Sequence, residues 1–162
     1  MVIINRLMGK TVTETDEHYL LHVEGGEDWP SLVAWSVEQG MGGMENLALI
    51  PGCAGSAPIQ NIGAYGLELQ SICEYVDILD LHSFETRRMT ANECQFGYRD
   101  SIFKHELYEK CFITAVGLKL PKQWKPINQY GPLQSIPEDE LTPLAIFCLL
   151  YTSPSPRDNP AS

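Results

Sequence analysis

Two stretches of the chain combine residue types and spacings suited to chemistry. The first is Ile50–Gly66, "IPGCAGSAPIQNIGAYG", with four glycines and two prolines in seventeen residues. That is too apolar for a linker and too rich in Gly and Pro for a regular element, so it reads as backbone brought close to something. Gly52 and Gly55 permit positive φ. Ser56 stands where a short helix can open, with Pro58 in its first turn. The N–H groups around Gly55, Ser56 and Ala57 would then face outward and hold an anion such as a pyrophosphate. Gln60 and Asn61 add amide donors, Ile59 and Ile62 can flank a flat ring, and Gly63, Ala64 and Gly66 leave room for it. Two readings stay open, a nucleotide or flavin cradle and a tight structural turn. The spacing is neither G-x-G-x-x-G nor a Walker loop.

The second stretch is Phe96–Lys104, "FGYRDSIFK". Arg99 is a cation set among aromatic and small residues. It either pairs with Asp100 or Glu106 at the surface, where such pairs contribute little, or offers a guanidinium fork to a carboxylate or enolate.

The elements that must position these stretches mix without regular βαβ alternation, which predicts an α+β domain. Strands are expected at Val2–Ile4, His18–Val23, Tyr75–Leu81 and Cys111–Leu120. A helix should follow Asp28 as N-cap, with Pro30 in its first turn, Leu32, Val33, Ser36 and Val37 on its buried face and Gly40 at its end. Thr90-Ala91-Asn92-Glu93 is a capping box that opens a short helix. Thr142-Pro143 opens another over Leu144–Leu150.

The net charge of −10 excludes a phosphate-backbone binder, which needs a basic face, though not a small anionic ligand held locally. Five cysteines, an odd number with no C-x-x-C pair, predict reduced thiols and neither a disulfide framework nor a zinc site. No metal site is expected. His18, His22, His82 and His105 are scattered without ligand spacing, and Trp29, Trp35 and Trp124 read as packing. The N-terminus lacks a signal-peptide pattern, and no apolar run is long enough to cross a membrane. The tail "YTSPSPRDNPAS" cannot build a core. It resembles translated sequencing-adapter DNA; a Pro-rich recognition tail and an ordinary terminus are the other readings.

"GMENLALIPGCAGSAPIQNIGAYGLEL" followed by "CQFGYRDSIFK" resembles the UDP-N-acetylenolpyruvoylglucosamine reductase family, also called UDP-N-acetylmuramate dehydrogenase, over roughly residues 2–147. The resemblance implies a vanillyl-alcohol-oxidase or PCMH-type flavin domain over 1–123, the start of a substrate-binding domain over 124–148, and a non-native tail over 149–162. It implies FAD and NADPH as cofactors, with Gly52, Gly55, Ser56, Ala57, Ile59, Gln60, Ile62 and Gly63 as cofactor-binding residues. Arg99 would be catalytic, stabilising the enolate formed when hydride reaches the enolpyruvyl group, and Tyr98, Arg99 and Tyr130 would contact the substrate. The substrate would be UDP-N-acetylglucosamine enolpyruvate, a small molecule, turned over in peptidoglycan synthesis by a cytoplasmic enzyme that is monomeric when complete, without nucleic-acid or membrane partners. The family also carries a Gly-Ser-Asn loop before the matched region, and a proton-donating serine and a glutamate after it. None has a counterpart here, so these 162 residues are expected to be an inactive part of a longer enzyme. A different flavin oxidoreductase of the same domain type, or a non-catalytic nucleotide- or partner-binding module, is the alternative.

Overall fold

The computed structural model describes residues 3–152. Its backbone is a five-stranded, wholly antiparallel sheet with one helix packed on it, so the α+β expectation holds. The strands are β1 (Lys10–Glu14), β2 (His18–Glu24), β5 (Cys73–Asp80), β6 (Thr86–Thr90) and β7 (Cys111–Pro121), in the spatial order β1-β2-β7-β5-β6. Between β2 and β5 run helix α1 (Trp29–Glu38), the Gly-rich stretch, and a two-stranded hairpin of β3 (Gly63–Ala64) and β4 (Leu67–Glu68). Helix α2 (Pro143–Thr152) closes the described chain.

β7 is the central strand because it is apolar at nearly every position. Ala115, Val116, Gly117, Leu118 and Leu120 are all buried, as suits a strand paired on both edges. On its inner face Val116 and Leu118 join Leu21 and Val23 of β2, Val76 and Ile78 of β5, and Trp29, Leu32 and Val33 of α1 in one core. Each fully buried aliphatic side chain there contributes about 1.5–3 kcal/mol. On the outer face Gly117 carries no side chain, and the Tyr75 ring lies flat in the space this leaves. Its hydroxyl meets His22 Nδ1 at 2.6 Å, and the Arg88 guanidinium, paired with Asp77 at 2.7 and 3.0 Å, stacks 3.8 Å above the ring.

α1 forms as its signals require. The Asp28 carboxylate accepts from Ser31 N at 3.1 Å, satisfying a first-turn amide. At the far end Gly40 adopts φ +77°. Its N–H donates to Val37 O at 3.0 Å and Met41 N–H to Ser36 O at 2.9 Å, the double bond pattern of a Schellman stop.

Three expectations need correction. Ile3 and Ile4 lie in no strand, while Val2 is outside the described residues. The first strand is instead β1, whose five residues are all exposed; with no buried face it leaves no apolar alternation to read. The Thr90–Glu93 capping box does form, with Thr90 N–H donating to Glu93 Oε1 at 3.0 Å and Glu93 N–H to Thr90 Oγ1 at 3.3 Å. What it opens is one 3₁₀ turn (Asn92–Cys94), because Gln95 at φ +50° ends the run. The Leu144–Leu150 helix extends to Thr152, and Thr142 Oγ1 caps it by accepting from Ala145 N at 3.0 Å. Its Ile146 and Leu150 join Leu133 in a satellite cluster with Trp124 and Tyr65. Residues 153–162, which hold most of the adapter-like tail, lie outside the described residues.

No disulfide forms among the five cysteines. Burial pushes the Cys73 and Cys94 thiols up to about 12, and Cys111 up to about 11. These three are thiols, not thiolates, at neutral pH. Alkylation of the native chain at about pH 8 should therefore label exposed Cys148 and half-buried Cys53 while sparing the other three. Peptide mass mapping before and after denaturation checks this; native labelling of Cys73 or Cys94 would contradict the packing.

Candidate active site

The Gly-rich stretch is a run of tight turns closed on its own backbone and on the segment between β2 and α1. Gly55 N–H donates to Gly25 O at 2.8 Å, Ser56 N–H to Cys53 O at 3.1 Å and Ala57 N–H to Ala54 O at 3.2 Å. The expectation that these three groups face outward and grip a pyrophosphate is thus corrected: each donor is spent inside the fold. The turn begins before the expected opening at Ser56, as a 3₁₀ helix over Ala54–Ser56 with Cys53, three residues earlier, as N-cap. Ser56 Oγ accepts from Cys53 N at 3.2 Å and donates to Cys53 O at 2.8 Å.

The glycines also have internal reasons. Gly52 takes φ +114°, open chiefly to glycine. A Cβ on Gly55 would lie 3.1 Å from Gly25 O and 2.8 Å from Asn5 Nδ2, so two chain segments meet there. A Cβ on Gly63 would lie 2.7 Å from Arg99 Nη1. Gly66, at φ +84°, has the Tyr130 ring lying against it.

The proposed site residues fall into two neighbouring groups. Gly55, Ser56 and Ile59 line an apolar cleft of about 280 Å³ with Asn5, Phe103 and Ile113. Gln60 is exposed, Ile62 half-buried, and Ala57 buried beneath the turn. The second group sits on the β3–β4 hairpin. Gly97 N–H donates to Asp100 O at 2.9 Å and Asp100 N–H to Gly97 O at 3.2 Å, a tight turn that presents Tyr98 and Arg99. Arg99 adopts φ +48°, uncommon for a side chain this large. Its Nη2 donates to Gly63 O at 2.7 Å, and its Nη1 lies 3.6 Å from Glu68 Oε2. The partners expected from sequence are taken or absent: Asp100 pairs with His105 Nε2 at 2.7 Å, and Arg99 turns to the hairpin base. Tyr98 is 84% exposed and Tyr130 52%, so both side chains are accessible to a ligand. Tyr130 lies at the hairpin tip, and Arg99 at its base. Ser101 ties the two groups together, donating from Oγ to Ile59 O at 2.7 Å.

Three residues hold this arrangement: Asn46 and Glu45, which sequence reasoning did not single out, and Asn61, expected as an amide donor to a ligand but turned inward instead. Asn61 is fully buried at φ +45°. Its Nδ2 donates to Gly97 O at 2.8 Å and Glu68 Oε2 at 3.3 Å, while its Oδ1 accepts from Gln70 N at 2.9 Å. Asn46, also buried, donates to Tyr65 O and Ile127 O, both at 2.9 Å, so it fixes the hairpin tip against the segment leading to Tyr130. Glu45 accepts from Gly43 N at 2.7 Å and from the Trp124 indole. The only advance signal was Asn itself, which tolerates the left-handed region and supplies donor and acceptor at once.

With this geometry in hand, a sequence model of the FAD binding domain matches residues 1–83. The chain belongs to that family. The chain is 76% identical over 147 residues to the UDP-N-acetylenolpyruvoylglucosamine reductase of Vibrio parahaemolyticus, and 58% identical over 147 residues to that of Aliivibrio fischeri. Each match covers 91% of the chain and 42% of the relative, so the chain spans less than half the length of these curated relatives. Among solved structures, the crystal structure of UDP-N-acetylenolpyruvylglucosamine reductase from Thermus caldophilus aligns with a TM-score of 0.58 at 25% identity, covering 80% of this chain and 41% of that one. No helix among the described residues is long and apolar enough to cross a membrane.

FAD fits the site in part. The apolar cleft suits a flat ring, with few polar groups to orient it, at the small end of ligand-pocket sizes. The N–H groups of residues 55–57 are unavailable to a diphosphate.

Two outcomes follow from the turn geometry. Gly66→Ala places a Cβ into the Tyr130 ring at a left-handed position, and should lower unfolding free energy by roughly 1–3 kcal/mol in a denaturant titration. The His105 hydrogen bond holds the Asp100 carboxyl below its ordinary range. A depressed carboxylate contributes stability above its unfolded value and loses it as pH falls through the folded one. In an NMR titration Asp100 should protonate below its usual value, and His105→Ala should move its titration upward, toward the ordinary carboxyl range.

Proposed function

We propose that the chain is the flavin-facing segment of a UDP-N-acetylenolpyruvoylglucosamine reductase, reducing UDP-N-acetylglucosamine enolpyruvate to UDP-N-acetylmuramate at the expense of NADPH in the cytoplasm. In this reading residues 1–123 form the flavin domain, and residues 124–148 begin the substrate domain. The sequence identity to complete reductases supports it. The single observation that carries the chemistry is the Arg99 guanidinium, fastened by one short bond to Gly63 O, with Nη1 3.6 Å from Glu68 and the side chain still partly exposed.

Bound FAD supplies the hydride that adds to the enolpyruvyl double bond. The chain's own residues do the rest. Gly55, Ser56 and Ile59, in the cleft wall, and Gly52, Gln60, Ile62 and Gly63, in the turns beside it, would hold the flavin. Arg99 receives the substrate carboxylate, and its charge stabilises the negative charge that develops there as the double bond is reduced. A donor already positioned and half withdrawn from water stabilises such charge more than a mobile one does. Tyr98 and Tyr130 flank the substrate from the two ends of the hairpin.

In a complete reductase carrying this segment, Arg99→Ala should lower turnover by roughly 100- to 1,000-fold and leave the flavin bound. Stopped-flow oxidation of the reduced flavin by substrate reads the step directly. An unchanged rate would remove Arg99 from the chemistry. The 162-residue chain mixed with FAD should emerge from gel filtration with far less than one flavin per chain, since residues 55–57 offer no free N–H to the diphosphate.

A further inference from the structure

The carboxylate beside Arg99 is not held by Arg99. Glu68 Oε1 accepts from Gln70 Nε2 at 3.2 Å, and Oε2 from Asn61 Nδ2 at 3.3 Å. Two amides therefore fix the carboxylate, and the guanidinium stands 3.6 Å away, beyond a short hydrogen bond. The same Asn61 Nδ2 donates to Gly97 O, the first residue of the turn that carries Arg99. One buried amide thus sets both the fixed charge and the backbone that aims the cation at it. Gly63 is opposite Glu68 in the hairpin register, so the carbonyl that binds Nη2 and the carboxylate that attracts Nη1 come from directly paired residues.

We propose that Glu68 and Asn61 are positioning residues for Arg99: Glu68 steers the guanidinium by charge without occupying its donors, and Asn61 locks Glu68 and the Arg99 turn to each other. The fork is thereby oriented before a ligand arrives, and the N–H groups not given to Gly63 O remain available to an incoming carboxylate. A direct bidentate pair, such as Arg88 makes with Asp77, would orient the fork and consume it together. This inference rests on the reading of Arg99 as the group that receives an acid, but its test needs neither flavin nor substrate.

The test is the rate at which phenylglyoxal modifies Arg99 in the full 162-residue chain, followed by peptide mass mapping. Arg88, locked by Asp77 and remote from the hairpin in sequence, is the internal reference. Glu68→Gln keeps the side-chain shape and removes the charge. It should raise the Arg99 rate about threefold relative to Arg88, the scale of a partly exposed ion pair. Asn61→Gly removes the amide while tolerating the left-handed backbone, and should raise the same ratio. Circular dichroism establishes that each variant is folded. An Arg99-to-Arg88 ratio unchanged by Glu68→Gln in a folded chain overturns the steering role. A ratio that responds to Glu68→Gln and not to Asn61→Gly overturns the role of Asn61. Equal acceleration of both arginines shows general loosening and overturns both. Failure of the proposed reaction would show elsewhere, as unchanged turnover of Arg99→Ala with the reactivity ratio still responding to Glu68.

Discussion

The site depends on one desolvated amide. Asn61 has no exposed surface, and an unpartnered amide at such a position costs about 1–3 kcal/mol in a folded protein. Its hydrogen bonds join two stretches: the distant Arg99 turn, through Gly97, and the nearer end of the hairpin, through Glu68 of β4 and Gln70 just beyond it. The Gly-rich turns, the hairpin and the arginine turn therefore satisfy Asn61 together or leave it orphaned together. Fully connected polar groups of this kind define a unique arrangement, because a partial version is worse than none. Asn46 does the same at the other end of the hairpin, where it fixes the approach to Tyr130.

Much of the scaffold was legible where local chemistry and burial agree. α1 had its cap, its proline and its glycine stop, and each is used as expected. β7 was readable because a strand paired on both sides must be apolar almost throughout. β1 was not, since nothing covers it and its five exposed residues follow no alternation. The hairpin was not either. With two residues in each strand, and Tyr65 and Gly66 turning between them, no period can be seen.

The candidate site was legible in its residue types and not in its connections. Arg99 and the Gly-rich stretch stand out as unusual, but the sequence does not show that a glycine in one makes room for the cation of the other. Nor does it show that the amides after Gly55 close onto neighbouring carbonyls. Glycine enrichment records a close approach without naming its partner. Here the partners are Gly25, Arg99 and Tyr130.

The position of β7 also governs the order of assembly. This strand lies between β2 and β5, and its pairing with β2 joins His18 to Pro121 across most of the domain. Contacts of such long range are slow to form, because loop-closure entropy must be overcome before they contribute. As the chain leaves the ribosome, β1 with β2 and β5 with β6 can each close as local hairpins, yet they have no shared neighbour until β7 emerges. The Gly-rich turns and the Arg99 turn are made before the strand that joins the two halves of the sheet behind them. Synthesis thus delivers the ligand-facing loops first and their rigid support last.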